Sequence, residues 1–145
     1  TIGPRMRIRD ARQTFVGIWI RRLLEGQAIE VWGGDQRRDF TYVDDAVEAL
    51  ALAATRPEAE GEVFNLGGRE VITLRELAAL AIEVNGGGSS VVRAFPPERQ
   101  AIDIGDYYSD FSKITRVLGW RPRTTLKAAL TRTLTFYRSN LASYV

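Results

Sequence analysis

Hydrophobic residues recur at spacings of three and four along much of the chain, a pattern that predicts amphipathic α-helices. The predicted helices begin at Thr14, at Asp44 or Asp45, at Thr73, at Asp110 or Ser112, and at Thr124 or Thr125. Polar residues that favour helix caps stand at each of these starts. Thr73 and Glu76 form a capping box, and Asp45 has the same relation to Glu48. We therefore expect Asp45 to cap its own helix.

Shorter stretches between these helices alternate between apolar and polar residues, which is typical of β-strands. The predicted strands cover residues 29–31, 38–43, 62–66 and 91–95. They are too few and too scattered for a doubly wound sheet with its own crossover helices. We therefore expect a mixed α/β (α+β) lobe, a single domain over residues 1–145 that packs against another domain.

The composition removes several kinds of chemistry, because the chain has neither cysteine nor histidine. The lack of cysteine excludes disulfides, thiol nucleophiles and thiolate metal sites. The lack of histidine excludes a Ser-His-Asp triad and histidine-ligated zinc. Acid–base catalysis near neutral pH would need a carboxylate, tyrosine or lysine with a shifted pKa. Few residue types therefore remain for catalysis, and we predict no metal site within this chain.

Arginine supplies nearly all of the positive charge, because only two of the 20 basic residues are lysines. Guanidinium groups bind phosphate well, so a non-enzymatic phosphate- or nucleic-acid-binding module is one hypothesis. The 18 acidic residues reduce the formal net charge to +2, which weighs against nucleic acid as a partner. No apolar run approaches the roughly 20 residues that a membrane span needs. We expect a cytoplasmic protein without membrane contact.

The clearest candidate for anion binding is Arg38, in the run Arg-Asp-Phe-Thr-Tyr-Val-Asp-Asp at residues 38–45. Alternate residues of a strand share a face, so Arg38, Phe40 and Tyr42 are predicted on one side. A guanidinium on such a fixed element suits the bidentate capture of a diphosphate. A salt bridge from Arg38 to a nearby acid fits the local pattern equally well.

Further candidates are ambiguous on sequence alone. Arg99 follows two prolines and precedes acids and tyrosines, which fits either a loop that closes on a polar ligand or an ordinary surface loop. Trp32 lies between a strand and two glycines, where its ring would stack on a base or fill the core. Asn65 interrupts an apolar strand, and a buried amide needs a hydrogen-bond partner. It would either tie down a loop or contact a ligand.

Three glycine clusters, at residues 33–34, 67–68 and 86–88, bear on whether the chain holds a nucleotide cofactor. None spells the dinucleotide fingerprint or a phosphate-binding loop. The triple glycine leads into a predicted strand, whereas a cofactor loop should open a helix. We therefore predict a turn at all three clusters.

Four motifs occur in an order that carries a resemblance. They are Ile2-Gly3-Pro4-Arg5, the 38–45 run, Phe64-Asn65-Leu66-Gly67, and Asp110-Phe111-Ser112-Lys113 leading to Leu118-Gly119-Trp120. Together they resemble the C-terminal, substrate-binding part of NAD-dependent nucleotide-sugar epimerases/dehydratases, in the extended short-chain dehydrogenase/reductase superfamily. The resemblance covers nearly the whole chain, and the 38–45 run is its most specific part.

The same resemblance implies roles for the candidate residues. Arg38 and Arg99 would hold the substrate diphosphate, and Trp32 would pack against the nucleotide base. Asp103 would lie near the ribose, Asn65 near the substrate-side strand, and Tyr42 would join this substrate-binding set.

The resemblance also implies what is missing. The family's glycine-rich loop is absent, and its Tyr-x-x-x-Lys pair is absent because Ser109 and Arg123 stand four residues before Lys113 and Lys127. We therefore expect a nucleotide-sugar-binding portion that binds no cofactor alone and is inactive alone. NAD would act in the full-length parent, with a UDP- or dTDP-sugar as substrate. A UDP-sugar 4-epimerase is the first expectation for that parent, before a 4,6-dehydratase or a decarboxylase. Exposed apolar faces would favour a homodimer.

Overall fold

The computed structural model describes residues 1–10, 14–96 and 103–145. Within these ranges the helices are α1 (Phe15–Leu24), α2 (Val43–Thr55), α3 (Leu74–Asn85), α4 (Ser112–Leu118) and α5 (Leu126–Asn140). The strands are β1 (Ile29–Trp32), β2 (Arg37–Asp39), β3 (Val71–Thr73) and β4 (Ser90–Arg93). Short 3₁₀ turns at Pro57–Ala59 and Leu141–Ser143 follow α2 and α5. The mixed α/β architecture with few short strands is confirmed.

Hydroxyl caps begin three of these helices where the sequence predicts them. Thr14 accepts a hydrogen bond from the backbone N–H of Gly17 at 3.4 Å. Thr125 accepts one from the N–H three residues later at 3.2 Å. Thr73 and Glu76 form both bonds of the predicted capping box. Each cap satisfies backbone donors that the first turn of a helix leaves unpaired.

The strands form two separate pairs. β1 pairs with β4 in parallel, from Ile29 opposite Ser90 to Trp32 opposite Arg93. β2 pairs with β3 in antiparallel fashion, with Arg38 opposite Ile72. Helices α1, α3 and α5 pack together beside β1. The main core contains buried side chains of these elements, among them Trp19, Ile20, Leu23, Ile29, Val31, Leu77, Ala81, Leu130, Leu134 and Tyr137.

Two predicted strands differ from the structure. β2 ends at Asp39 rather than 43, because Tyr42 becomes the N-cap position of α2. Residues 62–66 form no strand within the described ranges. Phe64 and Leu66 pack against a small second core around Trp120, while Val63 is 78% exposed. The alternation predicted from sequence is therefore present in burial, but a strand also needs a neighbour that supplies its hydrogen bonds.

The predicted cap of α2 is wrong. Asp45 lies inside the first turn, is only 5% exposed, and points to a distant loop. Its carboxylate accepts hydrogen bonds from the backbone N–H groups of Arg123 and Thr124 at 3.2 and 3.0 Å, and from the Thr124 hydroxyl at 3.2 Å. Tyr42 occupies the N-cap position without a side-chain cap. Asp45 thus joins α2 to the segment before α5.

The prediction of turns holds for two glycine clusters and fails for the third. Gly33 and Gly34 have φ values of +68° and +105°, and Gly86 ends α3 at +80°, a region that favours glycine. Gly68, by contrast, does not have a positive φ value. A Cβ there would lie 2.5 Å from the carbonyl oxygen of Phe40 and 2.7 Å from its nitrogen. This glycine permits two backbone segments to pack closely.

Candidate functional site

A cleft of about 510 Å³ lies between α1, β1 and the end of β2. Its lining is largely aromatic at the centre and charged at the ends. The side chains that form it are Phe15, Ile18, Trp19, Arg22, Glu30, Trp32, Gln36, Arg38, Leu74, Phe95 and Asp103. We call this feature the aromatic cleft. Its volume is within the usual range for small-molecule sites, and apolar walls with few polar groups are typical of them.

One wall of the aromatic cleft is a stripe along α1. Positions 15, 18, 19 and 22 share a helix face because they are three and four residues apart. The rings of Phe15 and Trp19 pack edge to face, with centroids 4.9 Å apart. The Trp19 indole N–H also donates to the backbone oxygen of Glu30 at 3.0 Å, which fixes α1 against β1.

The opposite wall comes from β1 and the residues that follow β4. Ile29 and Val31 of β1 face the core and are almost fully buried, so Glu30 and Trp32 face the cleft. The rings of Trp32 and Phe95 meet edge to face with centroids 6.2 Å apart. These contacts orient the indole of Trp32 within the cleft wall.

Arg38 and Asp103 form the polar end of the aromatic cleft that lies beside β2. The Arg38 guanidinium donates through Nη1 to the backbone oxygens of Arg37, at 2.8 Å, and Gly105. Its Nη2 lies 3.5 Å from Oδ1 of Asp103. The side chains of Arg38 and Asp103 are only 16% and 22% exposed. Arg38 therefore forms a salt bridge, but with an acid 65 residues away rather than with one of the nearby acids that the sequence left as an alternative.

The segment that carries Asp103 is attached to β2 along the backbone. Tyr107 donates its N–H to the carbonyl oxygen of Arg37 at 3.0 Å. The Arg37 N–H donates to the Asp106 carboxylate at 2.8 Å. These two contacts are made by the residue just before Arg38, and they hold Arg38 beside residues 103–107.

Asp39, the next residue, stabilises the other side of β2. Its Oδ2 accepts hydrogen bonds from the N–H of Gly68 at 3.0 Å and the N–H of Ser109 at 3.2 Å. A Cβ at Gly67 would lie 2.6 Å from the same oxygen. Asp39 therefore joins three segments at the base of the Arg38 strand, a role that the sequence analysis did not predict.

The opposite end of the aromatic cleft carries a second charged group. Arg22 Nη1 lies 3.5 Å from Glu30 Oε2, and Arg93 Nε lies 3.8 Å from Glu30 Oε1. One carboxylate is thus held between two guanidinium groups. Arg22 and Glu30 both line the cleft, and neither was a sequence candidate.

Three of the six predicted site residues meet at the aromatic cleft: Trp32, Arg38 and Asp103. Two others lie elsewhere. Tyr42 is 4% exposed in the core, with the Arg132 guanidinium 5.4 Å from its ring centroid, because β2 ends before residue 42 could share the face of Arg38. Asn65 is exposed rather than buried, since residues 62–66 form no strand.

Arg99, the sixth candidate, falls outside the described residues. The aromatic wall on α1 and Phe95 were not among the residues predicted from sequence. A signal for that wall was present in the sequence, because Phe15, Ile18, Trp19 and Arg22 are three and four residues apart. The prediction for α1 gave one apolar face and did not distinguish this stripe from the side that faces the core. Nothing in the sequence indicated that residue 95 would meet Trp32.

Neither a metal site nor a membrane-spanning helix is found in the described part of the chain. Residues 1–10, 14–96 and 103–145 hold no group of three or more acidic side chains that would suit a metal ion. Across the same ranges, no helix combines the length and the apolar character needed to cross a membrane.

The glycine clusters do not fit a bound dinucleotide. Gly33 and Gly34 join β1 to β2, Gly68 packs on Phe40, and residues 86–88 lead from α3 to β4. None joins a strand to a helix N-terminus, which is the arrangement that receives a pyrophosphate in a dinucleotide-binding loop.

Comparison with known proteins finds similarity to one family of enzymes. The model of the NAD dependent epimerase/dehydratase family matches residues 1–67. The chain is similar to a dTDP-glucose 4,6-dehydratase of Actinoplanes sp., with 34% identity over 139 residues, which cover 95% of this chain and 41% of the dehydratase.

Solved structures give the same result. A UDP-glucose 4-epimerase from Thermotoga maritima, solved with UDP-glucose, superposes with a TM-score of 0.84 and 30% identity, covering 96% of this chain and 43% of that one. A UDP-glucuronic acid 4-epimerase from Bacillus cereus, solved with NAD, superposes with a TM-score of 0.75 and 26% identity, covering 95% of this chain and 40% of that one. The chain thus spans about two fifths of the length of these relatives.

Proposed function

Because the chain belongs to the NAD-dependent epimerase/dehydratase family within the extended short-chain dehydrogenases/reductases, we propose that it is the nucleotide-sugar-binding portion of such an enzyme. The parent that we propose first is a UDP-sugar 4-epimerase. The ligand would be a UDP- or dTDP-sugar seated in the aromatic cleft. The chain alone would bind this ligand without transforming it.

The observation that carries the proposal is the position of Arg38. Its guanidinium is largely buried at one end of a cleft whose walls are aromatic. Aromatic rings would stack on the base of a nucleotide, and a guanidinium would bind its pyrophosphate. Trp32 and Arg38 both line the cleft, so one ligand would contact both.

Arg38 keeps donors for a ligand. A guanidinium has five N–H donors, and its contacts with Arg37, Gly105 and Asp103 within the described residues engage three of them. Counted over the described residues, two donors remain for phosphate oxygens. A diphosphate would also compete with the Asp103 carboxylate for the guanidinium. The 3.5 Å between Arg38 Nη2 and Asp103 Oδ1 is long for a charged hydrogen bond.

In the parent enzyme this lobe would position the sugar. NAD would supply the oxidation and reduction of the sugar when bound, and relatives in the family are solved with NAD. The residues of this chain would hold the diphosphate and the base, and thereby fix the location of the sugar. Such positioning contributes a large share of the rate in an enzyme. Its loss would leave binding weak even with the chemistry intact.

The test is a calorimetric titration of the chain with UDP-glucose and dTDP-glucose. Arg38→Ala should weaken binding by about 1.5–3 kcal/mol, the value of a hydrogen bond to a charged group, or roughly 10- to 150-fold in Kd. Arg37→Ala is the matched control, since Arg37 is the exposed neighbour on β2 and does not line the cleft. Equal affinity of wild type and Arg38→Ala would refute the assignment. Tight DNA binding with a steep salt dependence would instead favour a nucleic-acid-binding module.

We also propose that the chain self-associates through α2. Val47 and Leu50 of this helix are 57% and 65% exposed. Residues 47, 50, 51 and 54 are all exposed and share one helix face by their spacing. An apolar stripe of this kind on a small protein is typical of an interaction surface. A second copy would bury the stripe in an isologous dimer.

A further inference from the structure

The two charged ends of the aromatic cleft lie at opposite ends of α1. Phe15, at the first position of α1, packs near Phe40, with ring centroids 6.4 Å apart, and Phe40 follows the strand of Arg38. Arg22, seven residues further along α1, pairs with Glu30. Seven residues of α-helix span about 10 Å. The cleft therefore runs along α1 from the Arg38–Asp103 pair to the Arg22–Glu30 pair.

This spacing is comparable to the distance from the pyrophosphate to the far edge of the base in an extended nucleotide. With the diphosphate at Arg38 and the base between the aromatic rings, the base edge would reach Arg22 and Glu30. Their side chains are 34% and 39% exposed, so both remain accessible from the cleft. Glu30 also contacts Arg93, which limits the movement of its carboxylate.

We infer that Arg22 and Glu30 discriminate among pyrimidine bases, and that they recognise the imide edge of uracil or thymine rather than the edge of cytosine. This inference rests on the proposed function of the cleft. An imide edge presents a ring N–H between carbonyl oxygens. A carboxylate can only accept a hydrogen bond and a guanidinium can only donate. Glu30 would therefore accept from the ring N–H, and Arg22 would donate to an adjacent carbonyl oxygen.

The same pair disfavours cytosine. Cytosine has an unprotonated ring nitrogen at the position where uracil has N–H, so its lone pair would face the Glu30 carboxylate. Neither group has a proton to share, and the contact would be repulsive. A site that hydrogen-bonds one pattern of donors and acceptors rejects the other because buried polar groups are left unpaired.

The experiment compares the affinities of UDP, dTDP and CDP by calorimetry, with the chain as it exists. Wild type should bind UDP and dTDP at least about tenfold more tightly than CDP, within the range of a bidentate base contact. Glu30→Gln should narrow this preference to about threefold or less, because the amide can turn to donate to cytosine. Arg22→Met should weaken UDP several-fold and CDP by a similar factor, since both bases offer a carbonyl oxygen.

Arg21→Met is the matched control, because Arg21 lies beside Arg22 on α1 but pairs with Glu25 at 2.8 Å and does not line the cleft. It should leave all three affinities unchanged. Unchanged discrimination in Glu30→Gln, or equal binding of UDP and CDP by wild type, would each overturn the inference about the base. The role of Arg38 would survive any of these results. Failure of wild type to bind any nucleoside diphosphate would overturn the proposed function as well.

Discussion

Removal of the Asp45 carboxylate is the sharpest test of how this fold is held together. The carboxylate is 5% exposed and accepts three hydrogen bonds from residues 123 and 124, almost 80 positions later in the chain. The backbone oxygen of Asp45 also accepts the indole N–H of Trp120 at 2.9 Å. Asp45→Ala keeps this last bond and removes the other three. The variant therefore isolates the side-chain contribution.

The expected loss follows from the nature of these bonds. Hydrogen bonds to a charged group contribute about 1.5–3 kcal/mol each, and donors left unpaired carry their own penalty. The three bonds are only partly buried, so water can partly replace the lost acceptor. We expect Asp45→Ala to lower the free energy of unfolding by about 3–5 kcal/mol, a large part of the roughly 5–15 kcal/mol of a typical domain. Asp45→Asn keeps one acceptor oxygen and should cost about half as much.

Urea unfolding followed by circular dichroism measures these differences. Asp44→Ala is the matched control, because Asp44 is exposed in the same first turn of α2. Its exposed carboxylate lies at the positive end of the helix dipole, so its loss should cost about 0.3–1 kcal/mol. Equal losses for Asp44→Ala and Asp45→Ala would show that the long-range hydrogen bonds contribute nothing, and would refute this reasoning.

Two other measurements test the core and the α2 surface. Burial, with a smaller effect of Tyr144, raises the pKa of Tyr137 to about 12. In the unfolded chain this tyrosine loses its proton near the ordinary pKa of about 10. The free energy of unfolding should therefore fall as the pH rises from about 10 to about 12. Tyr137→Phe removes the hydrogen bond to the Met6 carbonyl oxygen, so it should lower stability at neutral pH and reduce the further loss of stability between about pH 10 and 12. Tyr107→Phe, which changes an exposed ring, should have neither effect. For the α2 stripe, light scattering at rising concentration should show a mass above 16.2 kDa for wild type and a monomer for Leu50→Lys. A wild-type monomer at high concentration would contradict self-association.

The helices were predictable because their signals are local. A hydroxyl cap acts on an N–H three residues away, as Thr14, Thr73 and Thr125 do, and the apolar period repeats every three or four residues. Gly86 and Gly119 end their helices in the left-handed conformation as glycine allows. Composition is equally independent of folding, so the absence of histidine and cysteine excludes whole classes of catalytic site by itself.

The strands were less predictable, because a strand depends on its neighbour. Residues 62–66 alternate in burial but find no pairing within the described chain, and β2 stops at Asp39. The same limitation explains Asp45, whose spacing to Glu48 indicated a capping box. Its carboxylate turns instead to donors at residues 123 and 124, which no local pattern could indicate.

For the candidate site, the sequence alone determined the residue types and two positions: a guanidinium at 38 within a family motif, and a tryptophan at 32 beside a glycine turn. Only the tertiary structure decided their surroundings. It joined Arg38 to Asp103 across 65 residues, placed α1 as an aromatic wall opposite Trp32, and brought Arg22 to Glu30 at the far end. Caps and periodicity act within one or two turns of chain, whereas a cleft forms where distant segments pack, and packing depends on the whole core at once.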